Sequence, residues 1–206
     1  KNARILPWRI AEVDGTFSLY KIAVSEIMLQ QTQVDRVMPK YESFLQAFPD
    51  INSLAQATTA DVITAWSGLG YNRRALYLHN WAKDIVKKGL PSTPEELQLY
   101  KGFGKNTAAA VFVYTYNQPK VFIETNIRTV MLNHFFEDSE VVSDKEIGIE
   151  MTKLLDEKNP REFYWAMMDY GSYLKKQRKS AISRSKHYKK QTLFAGSNRQ
   201  LRGAIL

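Results

Sequence analysis

Lys101-Gly102-Phe103-Gly104-Lys105 places two glycines two residues apart between lysines, and no other segment constrains the fold of this chain as strongly. Followed at once by Asn106-Thr107-Ala108-Ala109-Ala110-Val111, it reads as the join of a helix–turn–helix. Glycine reaches backbone conformations that a side chain forbids, so the amides of the turn and of the next helix N-terminus are expected to face outward. Outward amides beside Lys101 and Lys105 suit a phosphate. Glu124-Thr125-Asn126, about twenty residues further on, would set a carboxylate near whatever carries that phosphate. That is the outline of an enzyme acting on nucleic acid.

The surrounding periodicity is helical. Residues 20–38 carry Ile22, Ala23, Ile27, Val34 and Val37 between polar positions, as one amphipathic helix or a pair of them. Pro39 is expected to open the next helix, through Tyr41, Phe44, Leu45 and Phe48. Residues 60–66 form another short helical set, Gly68-Leu69-Gly70 breaks it, and residues 73–88 restart with Ala75, Leu76, Leu78, Ala82, Ile85 and Val86 inward. Pro91-Ser92-Thr93-Pro94-Glu95-Glu96 and Ser143-Asp144-Lys145-Glu146 are helix-start signals, the second a capping box, and residues 160–174 supply a last long helix. Nothing alternates like a strand, so the expected class is all-α.

The net charge of +8 is unevenly spread: residues 170–206 hold ten Lys/Arg and no Asp/Glu, whereas the first 169 hold nineteen against twenty-one. All the excess positive charge is therefore in the last fifth of the chain, as a nucleic-acid contact or as a solvated tail. No stretch approaches the roughly 18–20 apolar residues of a membrane span, and the N-terminus has no signal-like apolar run. With no cysteine in 206 residues there is no disulfide and no cysteine-held zinc or iron–sulfur site. A soluble intracellular protein is expected.

Ser25-Glu26-Ile27-Met28-Leu29-Gln30-Gln31-Thr32-Gln33-Val34 sets one carboxylate and three glutamines in an otherwise apolar region. Partly buried there, Glu26 would keep a proton near neutrality, as a general acid does; the ordinary alternative is a hydrogen-bonded acid at a helix end. Gly68-Leu69-Gly70-Tyr71-Asn72-Arg73-Arg74 offers an aromatic to stack on a base and two guanidiniums to clamp phosphates, a weak signal by itself.

Together with Pro7-Trp8-Arg9, these segments follow the order and spacing of the helix–hairpin–helix DNA glycosylase superfamily, and over about residues 5–175 the chain most resembles the MutY-type adenine glycosylases. The resemblance implies two helical lobes flanking a DNA cleft, residues 1–20 with 121–174 forming one and 21–120 the other, with the helix–hairpin–helix at about 94–117. It implies Glu26 as general acid on a flipped purine, Gln31 as the wedge into the vacated duplex, and Tyr71 beside the opposite base. It implies Gly102, Phe103 and Gly104 as phosphate-binding amides, with a monovalent cation on the hairpin carbonyls and no other cofactor. The full DNA-contact set expected is Gln30, Gln31, Tyr71, Arg73, Arg74, Lys101, Gly102, Phe103, Gly104, Lys105, Asn106, Thr107 and, from the tail, Lys186.

Three departures qualify that resemblance. The sugar-side aspartate of the family is replaced in Glu124-Thr125-Asn126 by a glutamate, which keeps the charge but shifts its oxygens by roughly an ångström or more. Cleaving an N-glycosidic bond passes through an oxocarbenium-like state, so Glu124 is read as the surrogate and Asn126 as its catalytic companion; the alternative is a salt-bridged helix-start glutamate. Bifunctional relatives carry a Schiff-base lysine where Asn106 stands, and Lys105 points about 100° away, so a monofunctional enzyme is implied. The iron–sulfur loop expected after Tyr170-Gly171 is replaced by a basic tail, residues 175–206. The expectation is a monomeric glycosylase of mismatched or damaged duplex DNA, with adenine opposite guanine or 8-oxoguanine as target. Thymine or uracil opposite guanine, or mismatch binding without catalysis, are the alternatives.

Overall fold

The computed structural model describes residues 3–137, 139, 141–177, 181–188 and 196. Among them ten α-helices succeed one another with no strand: α1 (Leu19–Leu29), α2 (Val34–Ala47), α3 (Ile51–Gln56), α4 (Thr59–Trp66), α5 (Arg73–Lys88), α6 (Pro94–Leu97), α7 (Lys105–Tyr116), α8 (Thr125–His134), α9 (Asp144–Leu154) and α10 (Pro160–Lys176). Short 3-10 turns at Pro7–Arg9 and Ile182–Arg184 flank the set. The all-α expectation holds.

Capping chemistry fixes many boundaries. Asp50, Thr58 and Ser143 each close a reciprocal box with the residue three positions on, satisfying two amides that the helix leaves orphaned. Gly89, at φ 90°, ends α5. Pro39, expected to open a helix, lies instead inside α2. The helix already starts at Val34, because the Gln33 carbonyl accepts from the amides of Arg36 (3.1 Å) and Val37 (3.2 Å). Pro39 falls on the exposed face, where one missing hydrogen bond is tolerated.

Helix α1 is the hub: almost every residue in it is buried, and it packs against α2, α5 and α7. Helices α3 and α4 lean on α5 around Trp66, Leu54 and Leu78, and α6 leans on α7. Helix α8 lies along α10, which also touches α7. Asp169 of α10 accepts from both Arg4 and Arg9, the latter through two 2.9 Å bonds, and so anchors the N-terminal segment. Between α7 and α8 the chain has no regular structure, and Tyr164 pins it there. Its hydroxyl accepts from the Phe122 amide (3.2 Å) and donates to the Lys120 carbonyl (3.0 Å), while its ring stacks on Phe122.

The tail expectation concerns residues 175–206, of which 178–180, 189–195, 197–206 lie outside the described residues. The described part is docked rather than free. Val142 and Ser185 form an isolated bridge, and Arg184 donates to the carbonyls of Leu132, Phe136 (2.7 Å) and Glu137 (2.5 Å) at the end of α8. A cation at a helix C-terminus meets the negative end of its dipole, so Arg184 is occupied as a cap.

Candidate active site

Two carboxyls from different helices converge. Glu26 sits three residues before the end of α1 among Ile22, Ala23 and Ile27 and is only 9% exposed. Its side chain makes no hydrogen bond and no ion pair among the described residues. Burial, and then the nearby charge of Glu124, push its carboxyl well above the ordinary carboxylate range against the opposing pull of Arg9. Tyr114 of α7 is buried within electrostatic reach of both acids.

Glu124 occupies the N-cap position of α8, yet its side chain does not cap the helix. Its carboxyl is therefore left available, next to the positive end of the α8 dipole. Burial raises Glu124 too, but Arg128 and Lys175 pull the other way. The two acids thus differ in degree: both are raised, Glu26 well above the ordinary carboxylate range, while Arg128 and Lys175 restrain the rise of Glu124. Such a separation is how paired carboxyls take acid and charge-stabilising roles.

Asn126, two residues into the same helix start, accepts a 2.6 Å hydrogen bond from Lys175 Nζ of α10. Lys175 was not singled out in the sequence. The only signal for it was its spacing, one helical turn after Gly171. Arg9 and Tyr114 also escaped sequence reasoning as neighbours of the acids, since neither adjoins them in the chain.

The hairpin presents its phosphate-suited groups one step later than expected. Gly102, at φ 98°, requires glycine: an added Cβ would fall 3.1 Å from Tyr77 Cβ. Its carbonyl accepts from Gln30 Nε2 (2.9 Å). The Phe103 amide donates to the Tyr100 carbonyl (3.2 Å), and its ring is buried beside Trp81, so Phe103 is core and not a phosphate ligand. Gly104 has an ordinary φ of −71° and nothing near its absent Cβ; it leaves room for a close approach. The amides of Lys105, Asn106 and Thr107, the first turn of α7, meet no acceptor among the described residues, and Lys101 and Lys105 are exposed on either side. These are the groups that suit a phosphate.

Several side chains assigned to DNA are engaged inside the protein. Gln30 bridges the end of α1 to the hairpin, reaching Thr107 Oγ1 (3.3 Å) as well as Gly102. Asn106 donates to the Ile123 carbonyl (2.8 Å), tying the hairpin helix to the segment that delivers Glu124. Arg74, expected to clamp phosphate, is 7% exposed. Its guanidinium donates to the carbonyls of Ile27 (3.0 Å), Met28 (2.8 Å) and Gln30 at the end of α1, to Thr32 Oγ1 (3.0 Å), and to the Gly70 carbonyl (3.0 Å). A buried guanidinium matched to orphan carbonyls cannot leave for solvent without stranding them.

What Arg74 fastens is the pair of loops that carry Gln31 and Tyr71. Both residues adopt the left-handed conformation, at φ 55° and 49°, although neither is glycine. Both side chains are exposed, Tyr71 at 57%. Non-glycine residues held at positive φ cluster at functional sites, where the surrounding structure sustains the strain. Arg73, the first residue of α5, is exposed. Lys186 is also exposed; its amide is bonded to Val142, and Glu146 lies within electrostatic reach of its ammonium.

Among the described residues no cluster of three or more His, Cys, Asp or Glu is arranged to hold a metal, and no helix is long and apolar enough to cross a membrane. Of the carbonyls around the hairpin, that of Tyr100 accepts from the Phe103 amide and that of Gly102 from Gln30.

Comparison with known proteins identifies the family. The family model described as HhH-GPD superfamily base excision DNA repair protein matches residues 24–157. An adenine DNA glycosylase of Buchnera aphidicola subsp. Baizongia pistaciae is 32% identical over 83% of this chain, which spans 48% of that relative, about half its length. An adenine DNA glycosylase of Mycolicibacterium smegmatis is 31% identical over 98% of this chain and 74% of its own. A thermostable thymine-DNA glycosylase structure superposes with a TM-score of 0.72 at 21% identity, covering 87% of this chain and 86% of that one, a likeness of fold. With Glu26 and the hairpin inside the matched residues, the chain belongs to the HhH-GPD superfamily of base excision DNA repair proteins.

Proposed function

We propose that this protein is a monofunctional DNA glycosylase that removes a mispaired base, adenine opposite guanine or 8-oxoguanine, by hydrolysis of its N-glycosidic bond. The observation that carries the reading is the pair Glu26 and Glu124, two buried carboxyls within electrostatic reach of each other, Glu26 raised well above the ordinary range and Glu124 raised against the pull of Arg128 and Lys175. The adenine glycosylases among its relatives support the choice of base.

In this reading the first-turn amides of α7, with Lys101 and Lys105, hold the duplex backbone, and Gln31 and Tyr71 enter the stack. The target nucleotide turns out of the helix at a cost of a few kcal/mol, least at a mismatch. Glu26 donates its proton to a ring nitrogen of the purine, which departs as neutral base. The sugar becomes an oxocarbenium-like cation beside the Glu124 carboxylate, and water adds at C1′. No amine stands at position 106, whose asparagine is bonded to Ile123, so the abasic sugar is left uncut.

Duplex oligonucleotides bearing A·8-oxoguanine, A·G, T·G, U·G and hypoxanthine pairs, incubated with the protein and then treated with alkali, test this. Alkali-dependent cleavage of the adenine strand is expected. Cleavage of T·G or U·G alone would reassign the base, and tight mismatch binding without cleavage of any duplex would make the protein a binder. Strand scission before alkali would refute the monofunctional assignment.

A further inference from the structure

Two arginines act on the acid pair and a third lies at the end of α1, but each is already matched. Arg128 is bidentate to Asp144 at 2.7 and 2.6 Å, and Arg9 is bidentate to Asp169. Arg74 is committed to the carbonyls around the end of α1. Lys175 differs from all three. Among the described residues no carboxylate lies within ion-pair distance of it, and its one hydrogen bond runs to Asn126 Oδ1 at 2.6 Å.

The backbone explains how it gets there. Gly171 of α10 crosses the start of α8 so closely that an added Cβ would fall 2.3 Å from the Asn126 carbonyl oxygen. Residues four apart share a helix face, so Lys175 rises from the same contact toward the Asn126 side chain. The intimate crossing of α10 and α8 thus delivers an ammonium to the helix start whose N-cap is Glu124.

We propose that Lys175 is the positioning residue of the sugar-side carboxylate: its ammonium fixes Asn126 by a hydrogen bond and supplies the uncommitted positive charge that faces Glu124. The groups facing Glu124 are then Arg128 from its own helix, Lys175 from α10, Glu26 from α1 and the buried Tyr114 from α7. Arg128 exerts the larger pull on Glu124 but is already paired with Asp144, which leaves Lys175 as the cation facing Glu124 that has no carboxylate within ion-pair distance among the described residues. Burial lowers the Lys175 ammonium and Glu124 raises it, the reciprocal of the pull that Lys175 exerts on the acid. A lysine at this place also compensates for the longer glutamate, by holding its helix start and its charge together.

The proposal rests on the reading above that Glu124 serves as a carboxylate, and its main readout needs no substrate. The 13C side-chain carboxyl signals of the full chain labelled in glutamate are titrated, the Glu124 signal being assigned by its loss in Glu124→Gln. In Lys175→Gln, which keeps a donor for Asn126 but removes the charge, the Glu124 midpoint is expected to move up by about one pH unit. Lys175→Arg is expected to keep it within a few tenths of the wild-type position, and thermal melts and amide spectra verify that both variants fold. An unmoved midpoint in Lys175→Gln overturns the proposal. So does borohydride trapping of an abasic duplex that is lost in Lys175→Gln, because the amine would then be a nucleophile. On a cleaved duplex, single-turnover rates of Lys175→Gln are expected to fall more at pH 5.5–6 than at pH 8, since more of Glu124 is then protonated at the acid end. If no duplex is cleaved, the function reading fails while the titration still decides the role of Lys175.

Discussion

Gly171 of α10 lies directly against the backbone of Asn126, with the carbonyl oxygen 2.3 Å from where a Cβ would be. The obstacle is backbone on both sides, so neither helix can yield by rotating a side chain. Gly171→Ala is expected to push α10 away from α8, destabilising the protein by about 3 kcal/mol or more and breaking the Lys175–Asn126 bond. Chemical denaturation measures the first effect. Excision by the fraction that remains folded measures the second, and a fully active folded fraction would contradict it.

Glu26→Gln is expected to abolish excision, by about 10²–10⁴ in single-turnover rate, while duplex affinity stays within a few-fold of wild type. It is also expected to stabilise the protein near neutrality. The folded carboxyl holds its proton above the ordinary value of 4.5, whereas the unfolded chain gives it up there. The wild type therefore loses stability as pH rises from about 4.5 through the raised folded value, and the glutamine variant does not. Melting temperatures taken from pH 4 to pH 8 should show the variant's advantage opening as pH rises, and a constant gap would show that burial is not the cause.

At Glu124 the charge is expected to matter more than the length. Glu124→Gln should cut the rate about 10²–10³-fold, whereas Glu124→Asp should retain most of it. The pH profile of the wild type should be bell-shaped, rising as Glu124 ionises and falling as Glu26 loses its proton. Glu124→Gln, though slow, should have lost the acid limb and kept the alkaline one.

Two adjacent arginines should behave in opposite ways. Arg73 is exposed, and Arg73→Ala should reduce the slope of log affinity against log salt by about one unit if it meets a phosphate. Arg74→Ala should leave that slope intact, because Arg74 is enclosed by carbonyls, yet should destabilise the fold by about 3 kcal/mol. Salt titrations of duplex binding and denaturation curves on the same two variants make the comparison.

Much of the fold was legible because its signals are local. The capping box at Ser143 and the restart at Arg73 need only neighbouring residues, and α9 and α5 begin there. Glu26 was legible for a similar reason, as an acid among apolar residues on a helical pattern. Pro39 misled because its usual meaning, a helix start, was overridden by the better-placed carbonyl of Gln33. Arg74 and Gln30 misled differently: a guanidinium and an amide serve a phosphate or a carbonyl equally well, and composition does not say which arrives. Lys175 was hidden because its partner lies 49 residues away, and only the close crossing at Gly171 unites them.

The guanidinium of Arg74 has a mechanical consequence. Gln31 and Tyr71 belong to separate turns, and two independent probes would each lose freedom on entering a base stack. Bonded through one planar group to the Gln30 and Gly70 carbonyls, the two turns are tied to each other. If Gln31 and Tyr71 enter a duplex as proposed, their spacing is set beforehand, and the duplex rather than the protein is expected to deform to fit.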